Sequence, residues 1–189
     1  MSPLVAQKAV GDRLRKLRRE RKISVRKLAE LTDFSASFIS QVENGQASPS
    51  INSLEKIAAA VGVTLGEFFA VSDRPEAGLI VRAAARKQLT SSWSNAQIDA
   101  LAPMASGRKL EPVLITLEPG GRSGKRPHSH AMEEFAFVLE GEVRLMLGEE
   151  VHDLRAGDAV TITPEQPRAW ENAGSVPVRI LVVSSRPPA

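Results

Sequence analysis

Three side chains in the second half of the chain could do metal or acid–base chemistry together: His128, His130 and Glu134. Two imidazoles one residue apart share a face of a strand, and with a carboxylate four residues further on they form a donor set that suits iron, nickel or zinc. A different chemistry is written into the first part of the chain. Between Lys8 and Lys27 stand Lys8, Arg13, Arg15, Lys16, Arg18, Arg19, Arg21, Lys22, Arg26 and Lys27, opposed only by Asp12 and Glu20. Such a density of fixed positive charge suits a polyanionic partner, although a solvated helix face would also account for it. The asymmetry is real along the chain: residues 1–72 carry net charge +4 and the remainder −1, within a total of +3 over 189 residues. There is no cysteine, so disulfides, thiolate metal sites and cysteine nucleophiles are excluded. No apolar run reaches the roughly 18 residues of a membrane span and Met1 to Val10 has no signal-peptide core, so no membrane role and a cytoplasmic location are expected.

The basic run must sit on elements, and the apolar spacing says which. Val10, Leu14 and Leu17 recur at helical intervals. Ser24 caps a second helix carrying Val25, Leu28, Ala29 and Leu31, and Thr32-Asp33-Phe34 breaks it. Ser35 caps a third, with Phe38, Ile39 and Val42 inward and Asn44-Gly45 ending it. Ser50 caps a fourth, striped by Ile51, Leu54, Ile57, Ala58 and Val61. The fifth opens with a capping box of Thr64 and Glu67 ahead of Phe68 and Phe69. Helices two and three make a helix-turn-helix.

The strings Ser24-Val-Arg-Lys-Leu-Ala-Glu, Ser37-Phe-Ile-Ser-Gln-Val-Glu-Asn-Gly45, Pro49-Ser and Leu54-Glu-Lys-Ile-Ala resemble the DNA-binding domain of phage-repressor-like regulators of the Cro or XRE type. That resemblance makes helix three the reader of the major groove. It implies base contacts from Ala36, Ser37 and Gln41 and phosphate contacts from Asn44 and the start of helix two, Ser24 and Arg26, with Ser35 at the head of the reading helix. Gln41 can bond bidentately to adenine, whereas Ala36 offers only a contact for a thymine methyl. Val25 and Ala36 stand where the family often has longer polar residues, so base readout is sparse and DNA shape carries part of the specificity. Family analogy also pairs Glu43 with Arg18.

After Asp73-Arg-Pro-Glu-Ala-Gly78 the apolar period changes from helical to alternating. Strands are expected at Leu79–Ala84, Val113–Leu117, Phe135–Leu139, Val143–Leu147, Ala159–Thr163 and Val176–Val183, with Ala85–Gly107 ambiguous. Short strands at such intervals imply a sandwich or barrel. The stretch from His128 to Gly141, with Gly157-Asp158 and Pro164 to Asn172 later, resembles the two motifs of the cupin family. Cupin metal sites take a further His from the second motif, and Arg168 stands at that position. No cofactor is therefore expected with certainty: a divalent metal on His128, His130 and Glu134 is opposed by the guanidinium. The alternative role is an effector site in which Arg168 pairs with Glu134 or with an incoming anion, and His128 and His130 donate hydrogen bonds. An internal Arg–Glu pair in a barrel that binds nothing would explain the same residues. His152, outside the motif, is expected at the surface.

The fold class expected is thus multidomain α + β: an all-α, five-helix, lambda-repressor-like domain over 8–70, a linker over 71–78, an all-β cupin (jelly-roll) barrel over 79–185 and a disordered tail over 186–189. This order of domains is similar to that of bacterial XRE-type regulators with a cupin sensor. It implies a homodimeric repressor that binds a near-palindromic double-stranded operator and answers to a small, anionic effector. The competing reading is an enzyme, because epoxidases acting on hydroxyalkylphosphonates share the domain order and use two His and one Glu to hold iron.

Overall fold

The computed structural model describes residues 3–68, 80–86, 88–91, 94–102, 109–129 and 131–185, with the side chains of 3–7 left aside. The expected linker 71–78, the expected tail 186–189 and His130 fall outside these residues. Five helices come first: α1 (Pro3–Glu20), α2 (Val25–Thr32), α3 (Ala36–Glu43), α4 (Ile51–Ala60) and α5 (Leu65–Phe68). Their boundaries follow from the caps. The hydroxyls of Ser24, Ser35 and Ser50 each accept the amide of the residue three further on, and Asp33 closes α2 in the left-handed region at φ 54°. Thr64 and Glu67 satisfy each other's backbone amides at 3.1 and 3.0 Å, the reciprocal pair expected at the head of α5.

Apolar stripes from the helices converge on Leu14, Leu28, Ile39, Leu54, Ile57 and Phe68, all at or near zero exposure. The approach of α1 to α3 needs a residue without a side chain. A Cβ on Gly11 would lie 2.4 Å from the carbonyl oxygen of Val42, so only glycine lets these two helices touch by their backbones.

The strands are β1 (Gln88–Ser91), β2 (Ala96–Ala100), β3 (Leu110–Leu117), β4 (Glu134–Glu140), β5 (Glu142–Leu147), β6 (Glu150–Arg155), β7 (Ala159–Ile162), β8 (Arg168–Glu171) and β9 (Val178–Ser185). They build a six-stranded sheet in the order β1-β2-β3-β9-β4-β7 and a three-stranded sheet β6-β5-β8, with every pairing antiparallel. Val143, Leu145 and Trp170 of the smaller sheet share a core with Ile98, Leu117, Val138 and Ile180 of the larger, as a cupin sandwich requires.

One expected strand is corrected. Within Leu79–Ala84 the described residues are not extended in a ladder, and Ala83–Ala85 forms one turn of 3₁₀ helix. Three consecutive alanines favour helical backbone over a pleated surface. The ambiguous stretch that follows contains β1 and β2, and two strands absent from the expectation, β6 and β8, are real. Most of β6 is exposed and polar, so it shows no apolar alternation to read.

Helices and sheets are not separate bodies. Their buried apolar residues join into one continuous cluster, and α4 lies against the barrel. Ser91 Oγ donates to Pro49 O (2.8 Å), Thr64 Oγ1 to Glu111 Oε1 (2.6 Å) and the Asn52 amide to Ser123 O (2.9 Å).

Candidate nucleic-acid interface and barrel site

Successive residues of an α-helix turn by about 100°. In α3 this sends Ile39, Val42 and Glu43 into the core and turns Ser37 and Gln41 outward on the other side, while Ala36, in line with Glu43, is exposed because it is the first residue of the helix. The helix expected to read the groove therefore presents an uncharged outer face of small residues and one amide. Ser24 and Arg26 are exposed at the start of α2. The hydroxyl of Ser35 is already engaged as a cap, accepting the Phe38 amide at 3.0 Å, so its contribution is to start the helix rather than to offer a free hydroxyl. Asn44 is exposed after α3, and its Oδ1 accepts from Arg15 Nη2 at 2.5 Å.

The reading helix is anchored by Glu43. Arg18 donates to it through Nε (2.5 Å) and Nη2 (2.9 Å), a bidentate pair that ties α3 to α1 as family analogy suggested. The hydrogen bonds to Glu43 raise the Arg18 pKa, and they do so against the opposing effect of burial. Arg15, which spacing did not single out, reaches the same carboxylate at 3.4 Å and the Glu43 carbonyl at 3.1 Å. Arg13 donates to the carbonyls of Glu67 and Phe68. Part of the basic run is thus spent on holding the domain together, and the charge offered to a polyanion is smaller than the sequence count suggests.

In the barrel, Glu134 opens β4 and Arg168 opens β8, and the fold brings them together. Arg168 Nε donates to Glu134 Oε2 (2.5 Å) and Nη2 to Oε1 (2.9 Å), while Ser184 Oγ donates to the same Oε1 (3.0 Å). Both charged groups are almost fully buried, at 2 % and 3 % exposure. The adjacent edge of the guanidinium is taken by a residue that sequence reasoning passed over, Glu55 of α4: Nη2, shared with Glu134, lies 3.1 Å from Oε1 and Nη1 3.4 Å from Oε2. Burial works against the Arg168 charge, but the Glu55 and Glu134 carboxylates outweigh it and hold the group firmly protonated. Nothing in local spacing could have revealed Glu55, because its partner lies 113 positions away.

His128 is half-buried, and its backbone pairs with that of Arg168 in both directions (2.9 and 3.0 Å). His152 is partly exposed beside Glu150. Among the described residues no three His, Asp or Glu side chains are grouped as a metal would need. Both oxygens of Glu134 are engaged by the Arg168 guanidinium, which occupies the lone pairs a metal would need from that carboxylate. A cavity of about 50 Å³ lies under α4 and α5, lined by Glu55, Glu111 and Glu134 together with Met132 and Val182. At this size it holds a few waters at most, too little for a metabolite.

Comparison with known proteins decides the family. A helix-turn-helix family model matches residues 14–68 and a cupin-domain model matches 113–184. HTH-type transcriptional regulator PuuR of Escherichia coli (strain K12) is 30% identical over 174 residues, 92% of each chain. The chain belongs to the helix-turn-helix transcriptional regulators that carry a cupin domain. HTH-type transcriptional regulator SutR of the same organism is 26% identical over 161 residues, 85% of each chain. An HTH_3 family transcriptional regulator from Vibrio cholerae superposes with a TM-score of 0.79 over 99% of this chain and 100% of its own, at 25% identity. Hydroxypropylphosphonic acid epoxidase from S. wedmorenis shares the fold at a TM-score of 0.50 and 21% identity, covering 95% of this chain and 98% of its own. The molecule is accordingly a DNA-binding transcriptional regulator with a cupin ligand-binding domain.

Glu43→Gln leaves Arg18 partly buried beside an amide instead of a carboxylate. Urea unfolding of this variant is expected to show a loss of roughly 3 kcal/mol, and operator affinity should fall with it because α3 loses its anchor.

Proposed function

We propose that this regulator is a homodimeric, cytoplasmic repressor in which Gln41, Ser37 and Ala36 read a near-palindromic operator, and that a small anionic effector acts at Arg168. The reading rests on one observation: a single buried guanidinium is shared by a barrel carboxylate, Glu134, and a carboxylate from the DNA-reading domain, Glu55. A carboxylate or similar anion has the geometry to replace Glu55 on the Nη edge, beside Glu134. Displacing Glu55 would loosen the joint between barrel and reading head. An effector that prefers the loosened form by about 1.4 kcal/mol changes operator affinity tenfold.

The dimer is supported by the outer face of the larger sheet. Phe135 and Phe137 of β4 lie opposite Val183 and Leu181 of β9, and Phe135 and Leu139 are more than two-fifths exposed. An aromatic and aliphatic sheet face of this kind is best covered by a second copy, which would place two reading helices about 34 Å apart on one side of the duplex. Ser24, Arg26, Ser35 and Asn44 would then line the backbone of each half-site.

The non-enzymatic reading is supported by the regulator relatives and by the occupied Glu134. Purified protein is expected to carry far less than one equivalent of iron, nickel or zinc by elemental analysis, and Arg168→His to carry more. A full equivalent in the native chain would favour metal chemistry of the epoxidase type.

Gel shift against the protein's own upstream DNA tests the reading head. Gln41→Ala is expected to lose roughly 1 to 3 kcal/mol of discrimination between operator and scrambled duplex. Glu55→Gln tests the joint. It should imitate the effector-bound form, weakening operator binding about tenfold with no ligand added, and an unchanged affinity would separate Glu55 from regulation.

A further inference from the structure

Between the reading head and the barrel lies an open cleft of about 620 Å³. Phe34, Phe38 and Lys56 line one wall, and Lys125, Arg126 and His128 the other, with Asp33 the single acidic residue. Its place relative to the duplex follows from the pitch of α3. Phe38 lies about a quarter turn from Ser37 and a sixth of a turn from Gln41, so the cleft opens on the flank of the reading helix. When Ser37 and Gln41 enter a major groove about 12 Å wide, the backbone bordering that groove runs along this flank.

The barrel wall is held in place by α4. The Asn52 amide donates to Ser123 O (2.9 Å), and Asn52 Nδ2 donates to Arg126 O (3.1 Å). Gly124 makes the approach possible, since a Cβ there would fall 2.6 Å from Asn52 Nδ2. The loop therefore presents Lys125 and Arg126, both exposed, from a fixed position. Among the described residues neither Arg126 nor Lys56 is ion-paired with a carboxylate, and Lys56 Nζ lies 5.4 Å from the centroid of the Phe34 ring.

We infer that the barrel domain itself touches DNA: Lys125 and Arg126, continued by Lys56, form a ledge that takes backbone phosphates beside the recognition helix. The charges are strung along the flank from two domains instead of converging on one point, which suits a phosphate chain better than a single small anion. The inference rests on α3 as the groove reader, and the ledge makes the barrel's position part of the binding surface.

The test is operator affinity of the full-length protein by fluorescence anisotropy from 50 to 200 mM KCl. Lys125→Ala with Arg126→Ala removes two phosphate contacts. Its slope of log K against log salt should be shallower by about 1.8, at 0.9 per phosphate, so the variant loses about tenfold less affinity across that range than the native chain. Operator and scrambled duplex should weaken equally, and the charge-keeping exchange Lys125→Arg with Arg126→Lys should restore the native slope. An unchanged slope in the double alanine variant overturns the ledge. So does a native-only affinity for millimolar inorganic phosphate combined with an unchanged DNA slope, which would make the cleft a small-anion site. Gln41→Ala separates this inference from its premise: it should change the ratio of operator to scrambled binding while leaving the slope intact. A shallower slope in the alanine pair with no effect of Gln41→Ala would keep the ledge and remove α3 as the base reader.

Discussion

A guanidinium with 2 % exposure cannot stand without counter-ions, and the rest of this architecture is arranged around supplying them. Desolvating an ion costs several kcal/mol, which is offset only when geometry is good and every donor is used. Glu134 alone would neutralise Arg168. The barrel instead leaves the outer edge of the fork to Glu55, so the site as a whole carries one excess negative charge and its completion depends on a different domain. The helical head is thereby fixed over the barrel by an interaction that either domain would lack by itself. The direct bonds from Thr64 to Glu111 and from Ser91 to Pro49 turn that contact into a joint with several points of attachment.

Charge in the reading head divides along similar lines. Arg13, Arg15 and Arg18 are bonded to Glu43 or to carbonyls at the ends of α3 and α5, which explains how α1 can be so basic and still pack. Like charges are tolerated there because each guanidinium satisfies an acceptor that would otherwise be unpaired. Lys8, Arg19, Lys22, Arg26 and Lys27 remain exposed, although Lys27 also sits 3.2 Å from Glu30. Their contribution to an encounter with DNA is long-ranged and screened by salt, while the fork at Glu43 sets the angle at which α3 is presented.

Local physics made the helices legible and left the joint hidden. Ser24, Ser35 and Ser50 announce helix starts because a hydroxyl beside an orphan amide acts over three residues, a distance that sequence displays directly. Strands with one buried face, such as Val143–Leu147, show alternation for the same reason. The edge strand β6, largely exposed, has no pattern to show, and Ala83 and Ala84 end an apolar run that reads as a strand although the intrinsic preference of alanine is helical. Arg168 and Glu134 could be placed in one site through resemblance to cupin motifs. Glu55 could not, since on α4 it looks like any solvated helix charge until the tertiary structure sets it beside β8.

Two residues of α4 that bond to the barrel, Asn52 and Glu55, lie three positions apart. Asn52 supports the loop bearing Lys125 and Arg126, and Glu55 completes Arg168. Residues at i and i+3 share a face of a helix, and one turn of α-helix has no internal joint that would let one move without the other. A change in the partner of Arg168 therefore does not need a long chain of side chains to reach DNA. In the proposed function it would alter the seating of one rigid element, whose first turn follows the α3–α4 loop and whose flank carries Lys56 beside the cleft. Such an element can couple the sites only if it has two seatings of comparable free energy. The excess negative charge of the Arg168 site supplies a reason for the second: with an anion in its place, the Glu55 carboxylate is no longer needed in the barrel and gains full hydration by leaving it.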